Sequence, residues 1–421
     1  MVDSRILDLS ARIAANSAKL NAYLHAHQLP NPSFSVDAPC DSLVPKSEKD
    51  VEAARVAIIE DTLELRSLAL GPREYVMSFS HNDLLSLQAI TRFKLAQLFP
   101  VGAEITFPEL AERCRLSEPT VRQIVRHAIM LNVFCEPRPG VVAHNAVSRL
   151  LAEDDSTFGW LAANTNELWK AAAHQCDAWE KYPQSDEPNQ SGFSLANQTE
   201  KSIYEVFDEY PDRAKRFGDA MRSFTQGTGF ELRHVTDNVP WADFQNGTVV
   251  DVGGSQGHVA MAVARAFPSL SFVVQDFDTV VTPAEKSVPT DLADRVKFMA
   301  YDFFTEQPVR EADVYYFRWI FHNWSDKYCV KILKNLIPAL KPGAKIIIND
   351  GVLPMPGMLS RWQEKKLRAI DLTMTEMQNA RERELGDWKN LLRMADSRFE
   401  FQDAKKPEGS TLWLITVEWK G

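Results

Sequence analysis

Disulfide chemistry has little to work with in this chain. Its five cysteines (Cys40, Cys114, Cys135, Cys176, Cys329) are odd in number and scattered, without a CxxC pair or a Cys/His cluster. That excludes a disulfide framework and a structural zinc site, and it points to a reducing, cytoplasmic compartment with no metal. Clustered positive charge is also missing. The net charge is −10 over 421 residues, which argues against a general binder of nucleic acid or anionic membrane. No run approaches about 18 uninterrupted apolar residues, so no transmembrane helix is expected. The opening MVDSRILDLSARIAAN carries two aspartates and helical periodicity, unlike a signal peptide with its basic head and apolar core.

What is present is an ordinary mixture, 45% hydrophobic and 25% charged, long enough for two domains. Apolar residues recur at helical spacing over 5–27. A Pro/Ser-rich linker follows, then a second helical stretch over 48–70. Residues 82–150 have the pattern of a winged helix: FPELAERCR as a short helix, a turn at LSEP with Ser117 as N-cap and Pro119 in the first turn, TVRQIVRHAIMLNVF as a longer helix, and CEPRPGVVAHN as a hairpin-like wing. DNA binding is the tempting reading. Residues 101–150 hold six Arg against five Glu, a weak electrostatic footprint, so packing or dimerisation is favoured over a DNA-binding regulator. Residues 155–245 are mainly helical by pattern. From 246, short apolar segments alternate with helices (GTVVDVGG, SFVVQDF, VKFMAYDFF, ADVYYFRWIF, KIIINDGVLP), as in a doubly wound, mainly parallel sheet.

VVDVGGSQGHVAMAVARAF runs strand, glycine turn, helix, with Gly253, Gly254 and Gly257 in the turn. It is neither G-x-G-x-x-G nor a P-loop. A backbone without Cβ still lets a ligand come close, and the next helix offers free N–H groups to an anionic end. Asp276 closes the next strand, placed to hold a ribose diol. In FRWIFHNWSDKYC, the histidine His322 lies past the carboxyl end of a strand, before a helix starting at Ser325 or Asp326. It is either a satisfied half-buried histidine or a placed proton acceptor. Gly253, Asp276 and Asp350 share its position at the carboxyl ends of strands, the rim where open α/β sheets bind ligands.

The run from Asp251 to Gly257 resembles motif I of class I S-adenosylmethionine-dependent methyltransferases. FRWIFHNWSDKYCVKILKNLIPALKPG is similar to the signature block of caffeic-acid-type small-molecule O-methyltransferases, and the N-terminal helix and linker look like fungal secondary-metabolite members. The resemblance covers essentially the whole chain. It implies a Rossmann-like α/β methyltransferase domain (166–421) preceded by a helical and winged-helix-like dimerisation domain (1–165), a homodimer, and S-adenosylmethionine as cofactor. It further implies His322 as general base oriented by Asp350 and Glu382, with Glu384 a competitor for the second acid. Cofactor contacts are implied at Gly253, Gly254, Asp276, Asp302, Phe303 and Arg318, with Trp324 near the adenine. Substrate contacts are implied at Met221, Phe224 and Met374. The family more often has Glu at Asp350 and Asp at Asn323. The expected reaction is methylation of a hydroxyl on a phenolic or enolic natural product, polyketide-derived. The alternative is a methyltransferase-fold enzyme that binds S-adenosylmethionine but catalyses a pericyclic or dehydration reaction.

Overall fold

The computed structural model describes residues 4–225 and 229–421. The chain forms two units, each built from separate stretches of sequence. One comprises the described residues up to Lys170, with Phe207–Phe224 and Gly357–Lys365. The other comprises Ala171–Val206, Thr225–Pro356 and Lys366–Gly421.

The first unit begins with two paired helices, Arg5–Ala26 and Lys49–Met77. Arg5 reaches Glu64 at 2.7 Å, and Arg12 reaches the buried Asp61 at 2.9 Å. The second helix runs a turn and more beyond its expected end because the chain kinks at Gly71 (φ 66°) and Pro72 and then continues helically. The expected short helix, longer helix and hairpin follow. Phe107–Cys114 starts at a capping box between Thr106 and Glu109. Glu118–Met130 starts at Ser117, whose hydroxyl accepts the Thr120 N–H. Strands β1 (Glu104–Thr106), β2 (Cys135–Arg138) and β3 (Val141–Ala143) form an antiparallel sheet in the order β1-β3-β2. Three arginines here already face carboxylates: Arg122 pairs with Glu118, Arg126 with Glu136 at 2.8 Å, and Arg138 with Glu104 at 2.6 Å.

The second unit is built on a seven-stranded sheet. Its strands are β4 (Thr248–Val252), β5 (Ser271–Asp276), β6 (Val296–Ala300), β7 (Val314–Arg318), β8 (Lys345–Asp350), β9 (Phe399–Lys405) and β10 (Trp413–Trp419), in the order β6-β5-β4-β7-β8-β10-β9. β4 to β8 are parallel, while β10 runs antiparallel to both β8 and β9. Apolar strands such as VYYFR and KIII are buried on both faces, as a parallel sheet covered by helices requires. Alternate residues serve opposite sides: Val250, Tyr315, Phe317 and Ile346 pack with helices Asp326–Leu336 and Leu385–Ala395, while Val249, Val314, Tyr316 and Ile347 pack with helix His258–Ala266. From β4 the chain adds strands in one direction and then crosses back to β7. The strand order therefore reverses between β4 and β7, and the carboxyl ends on either side of such a point are where open α/β sheets bind ligands. All five cysteines are free. Among the described residues, no helix is long and apolar enough to cross a membrane.

Candidate active site

The glycine turn leaves β4 with Gly253 at φ 72° and Gly257 at φ 71°, a backbone region L side chains rarely adopt. The Gly253 and Gly254 amides donate to Gln275 O at 2.8 and 3.0 Å, which ties the turn to β5. A Cβ on Gly254 would lie 2.6 Å from the Asp251 carboxylate carbon, so bare backbone is required at this point. Asp276 accepts the amides of Ser255 (2.9 Å) and Phe277 (2.8 Å), and burial raises its pKa. It anchors the turn and still has lone pairs for a diol.

Asp302 accepts the Phe304 amide at 2.9 Å, closing the loop after β6. Phe303 and Phe304 meet Trp324 edge-on at 6.0 and 4.6 Å, and the Tyr204 ring lies 6.0 Å from Trp324. This aromatic cluster suits a flat heterocycle. Arg318 is engaged by the protein: it donates to Asn349 Oδ1 and to Phe230 O, each at 2.9 Å.

Asp251, absent from the sequence-based site, is the clearest cofactor signal in the structure. It is buried, and its Oδ2 has no hydrogen-bond partner among the described residues. Burial pushes its pKa up to about 7, against the opposing pull of Arg318. A buried carboxylate with one unpaired oxygen beside a bare glycine turn is what a ligand ammonium would pair with. The residues therefore fit an amino-acid-bearing nucleoside such as S-adenosylmethionine: Asp251 for the amino group, the turn for close approach, Asp276 for the ribose, the aromatic cluster for the base. The signal was legible as a charge inside an apolar strand, VVDV.

The second cluster is assembled from three separate segments. His322 sits in a short 3₁₀ turn after β7, Asp350 ends β8, and Glu382 precedes helix Leu385–Ala395. All three are buried, with exposures of 7%, 0% and 7%. His322 Nδ1 lies 2.9 Å from Glu382 Oε1, and the His322 backbone amide donates to Asp350 Oδ2 at 3.2 Å. Of the two competing acids, Glu382 is thus the one on the imidazole. Glu384 instead forms the capping box of helix Leu385–Ala395 with Asp387. Asp350 bonds the histidine's backbone rather than its ring. The donor atoms of the trio fall within 4.8 Å of one another, and the observed Nδ1–carboxylate bond satisfies two of them mutually. With a carboxylate accepting at Nδ1, the neutral imidazole carries its hydrogen there and leaves the Nε2 lone pair to accept a proton. Burial lowers the pKa of His322, but the fields of Asp350 and Glu382 outweigh it and raise it overall. Asp350 is pushed up to about 6, by burial first and by Glu382 in addition.

Two further residues hold this geometry, and only the structure reveals them. Arg383 is completely buried. It forks onto Asp326 at 2.9 and 2.8 Å and donates to the carbonyls of Phe321 (2.9 Å) and Trp324 (2.8 Å). One guanidinium thereby clips the His322 loop to the segment carrying Glu382. Gly351 supplies the space: a Cβ there would stand 2.5 Å from Glu382 Oε2. Gly351→Ala is therefore expected to displace the Glu382 carboxylate and lower kcat about 10–100-fold, the cost of one hydrogen bond to a charged group. Saturation kinetics alongside a thermal melt checks this, since misfolding would lower both.

Of the expected substrate residues, Met221 and Phe224 lie on helix Pro211–Thr225 in the first unit, where Phe224 stacks on Trp160 at 5.4 Å. Met374 lies half-buried near the end of helix Arg361–Gln378.

The family model of the O-methyltransferase domain matches residues 186–398. The grayanic acid biosynthesis cluster O-methyltransferase of Cladonia grayi is 43% identical, over 99% of this chain and 88% of its own. The chlorophenol O-methyltransferase of Trichoderma longibrachiatum is 37% identical, over 99% and 91%. The crystal structure of OxaC in complex with SAH and oxaline superposes with a TM-score of 0.75 at 20% identity, over 98% of this chain and 100% of that one.

Proposed function

Given that this chain belongs to the O-methyltransferase family and is an S-adenosylmethionine-dependent enzyme, we propose that it methylates a phenolic or enolic hydroxyl of a polyketide-derived natural product, with His322 as general base. The single observation carrying this reading is the 2.9 Å bond from His322 Nδ1 to Glu382, buried at the carboxyl rim of the sheet. It fixes the tautomer in which Nε2 can take a proton.

Bound S-adenosylmethionine supplies a methyl group already activated by its sulfonium. The protein's work is then placement and deprotonation. A phenol has a pKa near 10, so at neutral pH it is a weak nucleophile until it loses its proton. His322 Nε2 accepts that proton as the oxygen attacks. Glu382 and Asp350 stabilise the imidazolium, and Arg383 keeps Glu382 in register with the loop. Gly253, Gly254, Asp276, Asp302 and Phe303 line the cofactor side in this proposal, with Arg318 acting through its field on Asp251. Met374, in the same unit as His322, is proposed to contact the acceptor ring, and Met221 and Phe224 are each proposed as substrate contacts. The chlorophenol O-methyltransferase relative supports a phenolic hydroxyl as acceptor. We further propose a homodimer formed through residues 1–165, with 166–421 as the methyltransferase domain, and a cytoplasmic location that keeps the five cysteines reduced.

The test is methyl-labelled S-adenosylmethionine with a panel of phenolic polyketides and simple phenols. Label is expected in an oxygen-linked methyl group of at least one phenol. Label found only on nitrogen or carbon acceptors would refute the hydroxyl assignment.

A further inference from the structure

Trp319 connects Arg318, at the end of β7, to the His322 turn. Its φ is 58°, left-handed backbone that is a genuine outlier for a bulky side chain. Such strain persists only where surrounding bonds enforce it, and two do. The Trp319 amide donates to Asn349 O at 3.2 Å. Its carbonyl accepts from Asn323 Nδ2 at 2.8 Å. The consequence of the strained turn is directional: the indole is brought against the imidazole of His322, with ring centroids 4.6 Å apart and planes at 56°. The Phe230 ring also packs on the indole, with centroids 5.8 Å apart and planes at 38°.

We propose that Trp319 is a positioning residue for His322: the strained turn holds its indole on the imidazole, steering Nε2 and stabilising the protonated ring by a cation–π contact. The inference rests on the reading of His322 as the base. It also gives Asn323 a job. The Trp319 carbonyl needs a donor, which an amide provides and the ionised Asp more common in the family does not. The charged groups facing the imidazole are Asp350 on β8 and Glu382 and Arg383 from the segment before helix Leu385–Ala395. The two acids favour the imidazolium, and Arg383 opposes it. An indole ring this close to the imidazole, 4.6 Å between centroids, adds to the acids in the proposal, since tryptophan is the best aromatic partner for a cation.

The experiment is an NMR titration of the His322 ring in the full-length protein, wild type against Trp319→Leu, Trp319→Phe and Asn323→Asp, with the pH profile of kcat measured in parallel. Trp319→Leu is expected to lower the His322 pKa by about half a unit, the scale of a partly buried cation–π contact. The acid limb of kcat should move down with it, and Trp319→Phe should fall between Leu and wild type. Asn323→Asp introduces a charge of its own, so it is read by ring geometry. The nuclear Overhauser contacts between indole and imidazole present in wild type should be lost. If Trp319→Leu does not fold, the graded shift in Trp319→Phe and the lost contacts in Asn323→Asp carry the test. An unchanged His322 titration in the folded Trp319 variants overturns the proposal. The titration reads the contact whether or not His322 is the base. Full activity in a His322→Ala variant would refute the base while leaving the contact to be judged separately.

Discussion

Replacing His322 by Ala is expected to lower kcat by about 10²–10⁴-fold, the usual worth of a placed general base. The cofactor site should be largely unaffected, because Asp251, Asp276 and the aromatic cluster do not depend on the imidazole. The pH dependence carries more information than the loss itself. In the wild type the base must be unprotonated to act. Its pKa is raised in the folded protein by Asp350 and Glu382 acting against burial. Activity should therefore fall as pH drops through a value above the ordinary histidine pKa of about 6.5. In the variant that limb disappears, and the residual rate should climb with pH as the acceptor ionises in solution. A variant whose rate is low and flat with pH would mean that His322 serves structure rather than proton transfer.

Asp251→Asn should produce two opposite effects. The carboxyl of Asp251 titrates at about 7 in the folded protein, against about 3.9 in an unfolded chain. Because the folded state holds the proton more tightly, stability from this group is fully present below about pH 4 and is lost as pH rises toward 7. Three units at 1.36 kcal/mol each set an upper scale of about 4 kcal/mol. The cofactor-free Asn variant should thus melt higher than wild type at pH 8, by an amount corresponding to about 2–4 kcal/mol, and similarly to it at pH 4. Asp350 and Glu376, raised to about 6 and about 7, keep a residual slope of the same sign in both proteins. Cofactor affinity should move the other way, falling about 10–100-fold for one lost charge-assisted hydrogen bond. Melts at pH 4 and 8 with calorimetric titration of S-adenosylmethionine check both halves. A wild-type-like pH slope in the variant would show that Asp251 is ionised and already satisfied in the free protein.

The placement of this site was largely legible from sequence because strand order follows simple patterning. VVDV, FVVQD, VYYFR and IIIND are apolar runs bounded by turns and helices, and each proved to be a strand ending at the same rim. The Glu382/Glu384 choice was not legible. Both are acids two residues apart in RERE, and their roles diverge only because the helix starts at Leu385, which makes Glu384 its cap and turns Glu382 toward His322. Arg383 reads in sequence as one more surface charge among neighbours of its kind. Its burial depends on Asp326 and two carbonyls about 60 residues earlier in the chain. Trp319 gave no signal either, since a positive φ at tryptophan is imposed by tertiary bonds rather than by local propensity. In the first unit, the helix ending expected near residue 70 missed because Gly71 and Pro72 kink the helix without stopping it. The alternative of a non-methylating enzyme is set aside by the full-length similarity to O-methyltransferases.

The most direct measurement of the central claim compares wild type with His322→Ala across a series of phenols of graded acidity, from pKa about 10 down to about 7. If His322 takes the phenolic proton, the rate ratio between the two proteins should shrink steeply as the acceptor becomes acidic enough to ionise unaided. A large ratio that stays constant across the series would contradict a base and leave His322 as a scaffold residue.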